Sequence, residues 1–217
     1  MSNGFYTIEA NSREATPVTY TLKRYQSYEE YLNAEELLEE KDYRLLDTGE
    51  VIELASEESI NRLIAYALML AIQQAQGIQL LLRLRRGDQE LQVKPVGDRW
   101  VNRKPDLMLL VPEHLDLIDK AIVFDMPPPA FVAEIVSPGS ESSVNYQRDY
   151  VWKREQYEWW QIPEYWIVDP GRAKITVLTL TGGIYKEAVY AGTETILSAV
   201  FPLLQVRAES VLTGAAP

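Results

Sequence analysis

The sequence predicts a mixed α/β fold, with a mixed β-sheet flanked by helices. Three observations lead there. Short runs such as KPDLMLLV (Lys104–Val111) and AFVAEIV (Ala130–Val136) are apolar and rich in residues that suit strands. Longer stretches, Glu57–Gln76 and Val144–Trp160, carry helical periodicity. The order along the chain is helix, several strands, helix, strands, with no repeats, linkers or low-complexity segments, which fits helices packed on one sheet. At 217 residues and 47% hydrophobic, the chain can bury a sizeable core. The expected organisation is an N-terminal extension over residues 1–24 and a single domain over 25–217.

The elements follow in order. Ser27 caps a helix from Tyr28 to about Lys41, with Glu30 completing a capping box. Tyr43–Ala55 reads as a hairpin around Asp47-Thr48-Gly49. Ser56 caps the long helix Glu57–Gln76, and Gly77 ends it. Ile78–Arg86 is expected as a strand, followed by a turn at Gly87-Asp88 and a strand at Leu91–Val93. The strand behind Pro105 and the strand Ala130–Val136 come next, then a break at Ser137-Pro138-Gly139-Ser140 and the helix Val144–Trp160, stopped before Pro163. Tyr165–Asp169, Ala173–Leu180 and Ile184–Tyr190 are strands separated by the Pro170-Gly171 and Gly182-Gly183 turns.

Composition removes several classes of function. With no cysteine there is no disulfide, no thiol nucleophile and no thiolate metal site, which agrees with a cytoplasmic protein. One histidine, His114, excludes a multi-histidine metal site, and no Gly-x-Ser-x-Gly elbow supports a serine triad; His114 reads as an ordinary loop residue. No apolar run approaches 18 residues and the N-terminus lacks a basic-then-apolar pattern, so neither a membrane span nor a secretory signal is expected. A net charge of −11 counts against broad, nonspecific affinity for nucleic acid. Basic residues nevertheless gather at Arg83, Arg85 and Arg86, at Arg99, Arg103 and Lys104, and at Arg148, Lys153 and Arg154.

Three charged residues stand in apolar settings. Tyr146, Tyr150, Tyr157 and Trp160 form one stripe of the Val144–Trp160 helix, and Lys153 falls in its middle. An ammonium on a buried face needs a carboxylate partner or a task. Alternation puts Asp106 on the face of Met108 and Leu110, and Glu134 on the face of Val132 and Val136. A carboxylate inside an apolar strand is costly unless a metal or cation neutralises it. Asp149, four residues before Lys153, offers the competing explanation of a helical ion pair. Acids at Glu57 and Glu58 suit a helix N-terminus by charge alone.

Pro105-Asp106, then FVAEIVSPGS, RDYVWKREQY and IPEYWIVDP, resemble the Uma-two family of restriction-endonuclease-like proteins. The likeness runs from about Tyr25 to Leu212 and is most specific between Asp106 and Pro170. It implies the PD-(D/E)XK restriction-endonuclease-like fold, in which an Asp and a Glu bind Mg²⁺ and a lysine orients the attacking water. The usual Glu-x-Lys is absent, because the strand reads Glu134-Ile135-Val136; in this family the lysine has moved to the following helix, where Lys153 matches it. The resemblance thus implies Asp106, Glu134 and Lys153 as catalytic residues. Asp106 and Glu134 would be metal ligands, with Glu58 (or Glu57) as the helix acid and Mn²⁺ able to replace Mg²⁺. The expected activity is Mg²⁺-dependent hydrolysis of nucleic-acid phosphodiesters, DNA in the first place. The alternative is a nuclease fold serving as a binding or assembly module, such as a homodimer.

Overall fold

The computed structural model describes residues 5–8, 18–37, 41–54, 59–117 and 120–215. β1 (Phe5–Ile8), β2 (Val18–Arg24), β3 (Asp42–Leu45) and β4 (Glu50–Leu54) form a four-stranded sheet of order β1-β2-β4-β3, with α1 (Tyr28–Leu32) between β2 and β3. The expected β3–β4 hairpin is present. Its turn needs Gly49, whose φ is +83° and whose missing Cβ would lie 2.2 Å from the Tyr25 carbonyl oxygen. Ser27 caps α1 as expected, but the helix ends at Leu32 rather than near Lys41. Asn33 turns its amide back to the Glu29 carbonyl, and Glu36 is drawn off to Lys23 and the Tyr25 hydroxyl. Residues 38–40 lie outside the described residues.

α2 (Ser59–Gln76) ends at Gly77, as the sequence indicated. The strand expected over Ile78–Arg86 is instead a 3₁₀ helix, Ile78–Arg83, followed by a two-residue strand, β5 (Leu84–Arg85). A short apolar run cannot be assigned to helix or strand by pattern alone, and here the sheet edge needs only two residues, opposite Leu109 and Met108. β6 (Glu90–Gln92), β7 (Asn102–Arg103) and β9 (Ala121–Ile122) make a small sheet of order β7-β6-β9; β8 (Leu107–Leu109) and α3 (His114–Leu117) lie between them in sequence.

β10 (Phe131–Ile135) leads into a compound helix: α4 (Val144–Tyr146), a π-helical stretch (Gln147–Trp152) and α5 (Lys153–Trp159). β11 (Glu164–Asp169), β12 (Lys174–Thr181), β13 (Ile184–Ala191) and α6 (Ala208–Leu212) complete the chain. The central sheet has six strands in the order β13-β12-β11-β10-β8-β5. Only β10 and β11 run parallel; the other pairs are antiparallel, so the sheet is mixed.

Strand alternation sorts the core into two layers. Leu107, Leu109, Phe131, Ala133 and Ile135 face Ile64, Leu68 and Ile72 of α2. Met108, Leu110, Val132 and Val136 face Tyr157 and Trp160, beside Tyr165. Each fully buried side chain of this size contributes about 1.5–3 kcal/mol. The N-terminal layer has its own cluster around Tyr25, Tyr31, Tyr43, Leu45 and Val51. It is tied to the small sheet by buried Glu90, which accepts the Tyr28 and Tyr31 hydroxyls at 2.9 and 2.8 Å. Among the described residues no helix is long and apolar enough to cross a membrane.

Candidate active site

The antiparallel register between β8 and β10 pairs Leu107 with Ala133 and Met108 with Val132. Residues paired in this way point to the same face, with Cβ atoms about 5 Å apart. For Met108 and Val132 that face is the one covered by the compound helix. Asp106 stands one residue before β8, on the side from which the register would continue toward Glu134. Glu134 sits within β10, whereas Asp106, expected inside a strand, stands at the entry to β8. Asp106 stands in the bend just before β8 and is partly exposed, and its Oδ2 accepts the Ile135 amide at 2.6 Å. A side chain thus continues the hydrogen bonding of β10 where β8 has ended.

Glu134 is buried in the middle of the sheet. Lys153 Nζ donates to its Oε2 at 2.8 Å, and the Tyr157 hydroxyl donates to its Oε1 at 2.5 Å. Burial and then the Glu134 charge hold the Tyr157 phenol well above its ordinary value, so the hydroxyl stays protonated and donating. The same lysine reaches Asp149 Oδ1 at 2.7 Å, the helical pair that the spacing allowed. Asp149 is buried and also meets Arg148 Nε at 3.4 Å. Burial pushes its carboxyl up, but the Lys153 and Arg148 charges outweigh burial and hold it below the usual carboxylate value. Lys153 is therefore not a surface-seeking side chain; it bridges two buried carboxylates.

The π-helical stretch explains how Asp149 and Lys153 both turn inward. The Lys153 amide bonds the Arg148 carbonyl, five residues back, rather than the Asp149 carbonyl. The Asp149 carbonyl instead accepts the Tyr165 hydroxyl at 2.9 Å. A side chain inserted into the helix ladder is a recognised cause of such a widening. The Tyr165 phenol is held well above its ordinary value by burial first, then by Glu134 and Asp149, with a smaller part from Asp106. One buried hydroxyl thus senses all three carboxylates.

Other residues proposed from sequence fall differently. Glu57 and Glu58 lie outside the described residues. His114 is not a loop residue: it opens α3 fully buried, accepts the Val111 amide on Nδ1 and donates from Nε2 to the Pro127 carbonyl, a structural role. Several of the gathered basic residues are taken up by the protein itself. Arg103 is buried and forks onto Asp98 at 2.8 and 2.9 Å, Arg99 pairs with Asp47, and Arg154 with Glu187. Trp160 is core, whereas Trp159 is half-exposed and packs edge-on against Phe124. Sequence reasoning did not give Tyr157 and Tyr165 their polar roles. Their signal was faint: phenols on a stripe that also carries a charge.

Beyond the C-terminal ends of β10 and β11 lies a cavity of about 290 Å³, lined by Ser137, Gly139, Asp169 and Arg172 among others. Asp169 accepts the Tyr150 hydroxyl at 2.8 Å, which joins this cavity to the residue after Asp149.

The model of the Uma2 family, described as "Putative restriction endonuclease", matches residues 28–209. The chain belongs to the Uma2 family. The fold of a "putative nuclease belonging to DUF820" from Anabaena variabilis ATCC 29413 superposes with a TM-score of 0.60 at 13% identity, covering 86% of this chain and 97% of that one. Among curated proteins none matches. The nuclease-like fold implied by the resemblance is therefore the fold of this Uma2 chain, and within it Glu134, Asp149 and Lys153 converge on one face of the central sheet, with Asp106 at the entry to β8.

Among the described residues no three His, Cys, Asp or Glu side chains form a cation cluster. The donors that do converge suit a hard divalent ion. They are carboxylate oxygens, and each carboxylate has about four lone-pair directions. Lys153 and Tyr157 use one each on Glu134, so the group retains acceptor capacity.

Proposed function

We propose that this Uma2 protein is a metal-dependent nuclease that hydrolyses phosphodiester bonds of nucleic acid, DNA in the first place. The observation that supports this reading is the gathering of Asp106, whose Oδ2 accepts the amide of the residue after Glu134 at 2.6 Å, with Glu134 itself, whose Oε2 lies 2.8 Å from Lys153 Nζ. Asp106 and Glu134 would hold Mg²⁺, or Mn²⁺ in its place, with Glu58 as a further donor. Bound there, the ion would supply Lewis-acid charge on the phosphate and an acidified water. The chain's own groups do the rest. Lys153 orients the water's oxygen or neutralises the non-bridging phosphate oxygens as charge builds on them. Tyr157 and Asp149 fix Glu134 and Lys153 from behind.

Formal charge supports the need for an ion. Asp106, Glu134 and Asp149 outnumber Lys153 and Arg148 by one, so the bare site repels phosphate, and a divalent cation reverses its sign. The protein would work in the cytoplasm. The test is cleavage of plasmid and single-stranded DNA, and of RNA, with Mg²⁺ or Mn²⁺. Wild type should cut, and Asp106→Asn should lose about 10²-fold or more, the scale of removing one transition-state stabiliser.

A second reading rests on one observation: both Glu134 oxygens are already hydrogen-bonded, so the ion network can hold the fold without a metal. A wild type that cuts neither DNA nor RNA with either ion would overturn the nuclease reading and leave an assembly module, most simply a homodimer.

A further inference from the structure

Ile135, the residue after Glu134, is gripped at both of its backbone polar groups by side chains. Val136 donates to Val168 of β11, so the even positions of β10 bond toward β11 and Ile135 bonds toward the β8 side. There its amide goes to Asp106 Oδ2 at 2.6 Å, and its carbonyl accepts Asn61 Nδ2 at 3.3 Å. Asn61 comes from the first turns of α2 and is 3% exposed. Asn61 thus reaches Ile135 from the α2 face of the sheet, and the Asp106 carboxylate reaches the same residue from the bend before β8. Only the NH₂ group of Asn61 can donate to a carbonyl, which fixes the amide orientation and leaves Oδ1 as an acceptor. That Oδ1 is buried and has no hydrogen-bond partner.

An orphaned acceptor is costly in a protein interior and calls for a partner, a water or an ion. No other buried side-chain oxygen among the described residues is in this state; the remaining unpartnered buried side-chain atoms are nitrogens, on Arg44, Gln76 and Trp160. An amide oxygen is a hard, neutral donor of the kind that Mg²⁺ and Mn²⁺ accept directly or through a bound water. Asn61 also breaks the pattern of α2, where it shares a buried stripe with Ile64, Ala65, Leu68 and Ile72.

We propose that Asn61 is an oxygen donor to the divalent cation of the Asp106–Glu134 pair, reaching it directly or through one of its waters. This rests on the metal-dependent reading above and adds a donor from α2 to the two acids of the sheet. It also gives the core position of Asn61 a reason.

The experiment is titration of the whole protein with Mn²⁺, read by electron paramagnetic resonance and by the thermal midpoint, so cleavage is not the readout. Four proteins are compared: wild type, Asp106→Ala, Asn61→Leu and Asn61→Asp. Asn61→Leu should fold and weaken Mn²⁺ binding about tenfold or more, the scale seen when a supporting ligand is lost. Asn61→Asp should tighten it, because a carboxylate replaces a neutral oxygen beside the same ion. If Asp106→Ala weakens binding while both Asn61 variants match wild type, the role of Asn61 is overturned and the metal pair stands. If wild type does not bind Mn²⁺, both are overturned. If Asn61→Leu fails to fold, the decision passes to Asn61→Asp, where unchanged affinity overturns the proposal.

Discussion

Lys153 shows how much one side chain holds. Its ammonium lies within 2.8 Å of Glu134 and 2.7 Å of Asp149, and both acids are buried. Lys153→Met keeps the stem and removes the charge, leaving two buried carboxylates without their cation. The expected loss is about 3–5 kcal/mol, the usual result of breaking a buried pair from one side. Urea unfolding measures it, and a variant as stable as wild type would show that Lys153 does not hold the acids. His114 gives a pH signature at the same scale. Burial lowers its basicity, so folding favours the neutral ring. A depressed value means stability is fully present above the ordinary histidine range, near pH 6.5, and is lost as pH falls through the folded value. His114→Asn should lack that acid limb in midpoint-against-pH curves, because the Val111 amide would no longer lose its acceptor to protonation of Nδ1, whereas the Nε2 bond to the Pro127 carbonyl survives in either state.

Among the elements, the compound helix carries the most consequence. Tyr165→Phe removes the donor to the Asp149 carbonyl and leaves that acceptor buried and unsatisfied. A loss of about 1–3 kcal/mol is expected, with a shift of the Asp149–Lys153 resonances. A variant with neither would detach Tyr165 from the widened turn. This turn also marks where the sequence stopped being legible. Glu134 within its strand and Asp106 at the entry to β8 could be read, because a carboxylate alternating with Val132 and Val136, or with Met108 and Leu110, violates a simple pattern. The inward lysine could be read for the same reason. A uniform 100° step could not reveal a turn whose bond skips to Arg148, since its cause is a hydroxyl on a strand several residues later in the chain. The 3₁₀ helix at Ile78–Arg83 escaped for a related reason: Leu and Ile serve either conformation, and the sheet edge decided. Asn61 left a trace in the phase of α2, visible only once the buried stripe is drawn.

Across the whole molecule, charge governs how a polyanion can approach. The chain carries −11, and Arg99, Arg103 and Arg154 are spent on internal partners. DNA binding should therefore be weak in chelator at physiological salt and strengthen with Ca²⁺, which occupies an oxygen site without promoting cleavage. Fluorescence anisotropy with a labelled duplex tests this, and tight binding in chelator would contradict it. Glu90 anchors the N-terminal layer through Tyr28, Tyr31 and Asn102, so its position is set by buried hydrogen bonds rather than by a flexible tether.

The widened turn at Gln147–Trp152 has one more implication, which concerns length rather than chemistry. A π turn holds one residue more than the α turn that could replace it. That surplus sets the rotational offset between Asp149 and Lys153, so their meeting at Glu134 is written in the spacing of the chain as well as in its side chains. Shortening the stretch by a single residue, with every acid and base retained, would swing Asp149 by roughly 100° about the helix axis relative to Lys153. This part of the protein accepts substitutions at exposed positions such as Val151, yet it is closed to deletion.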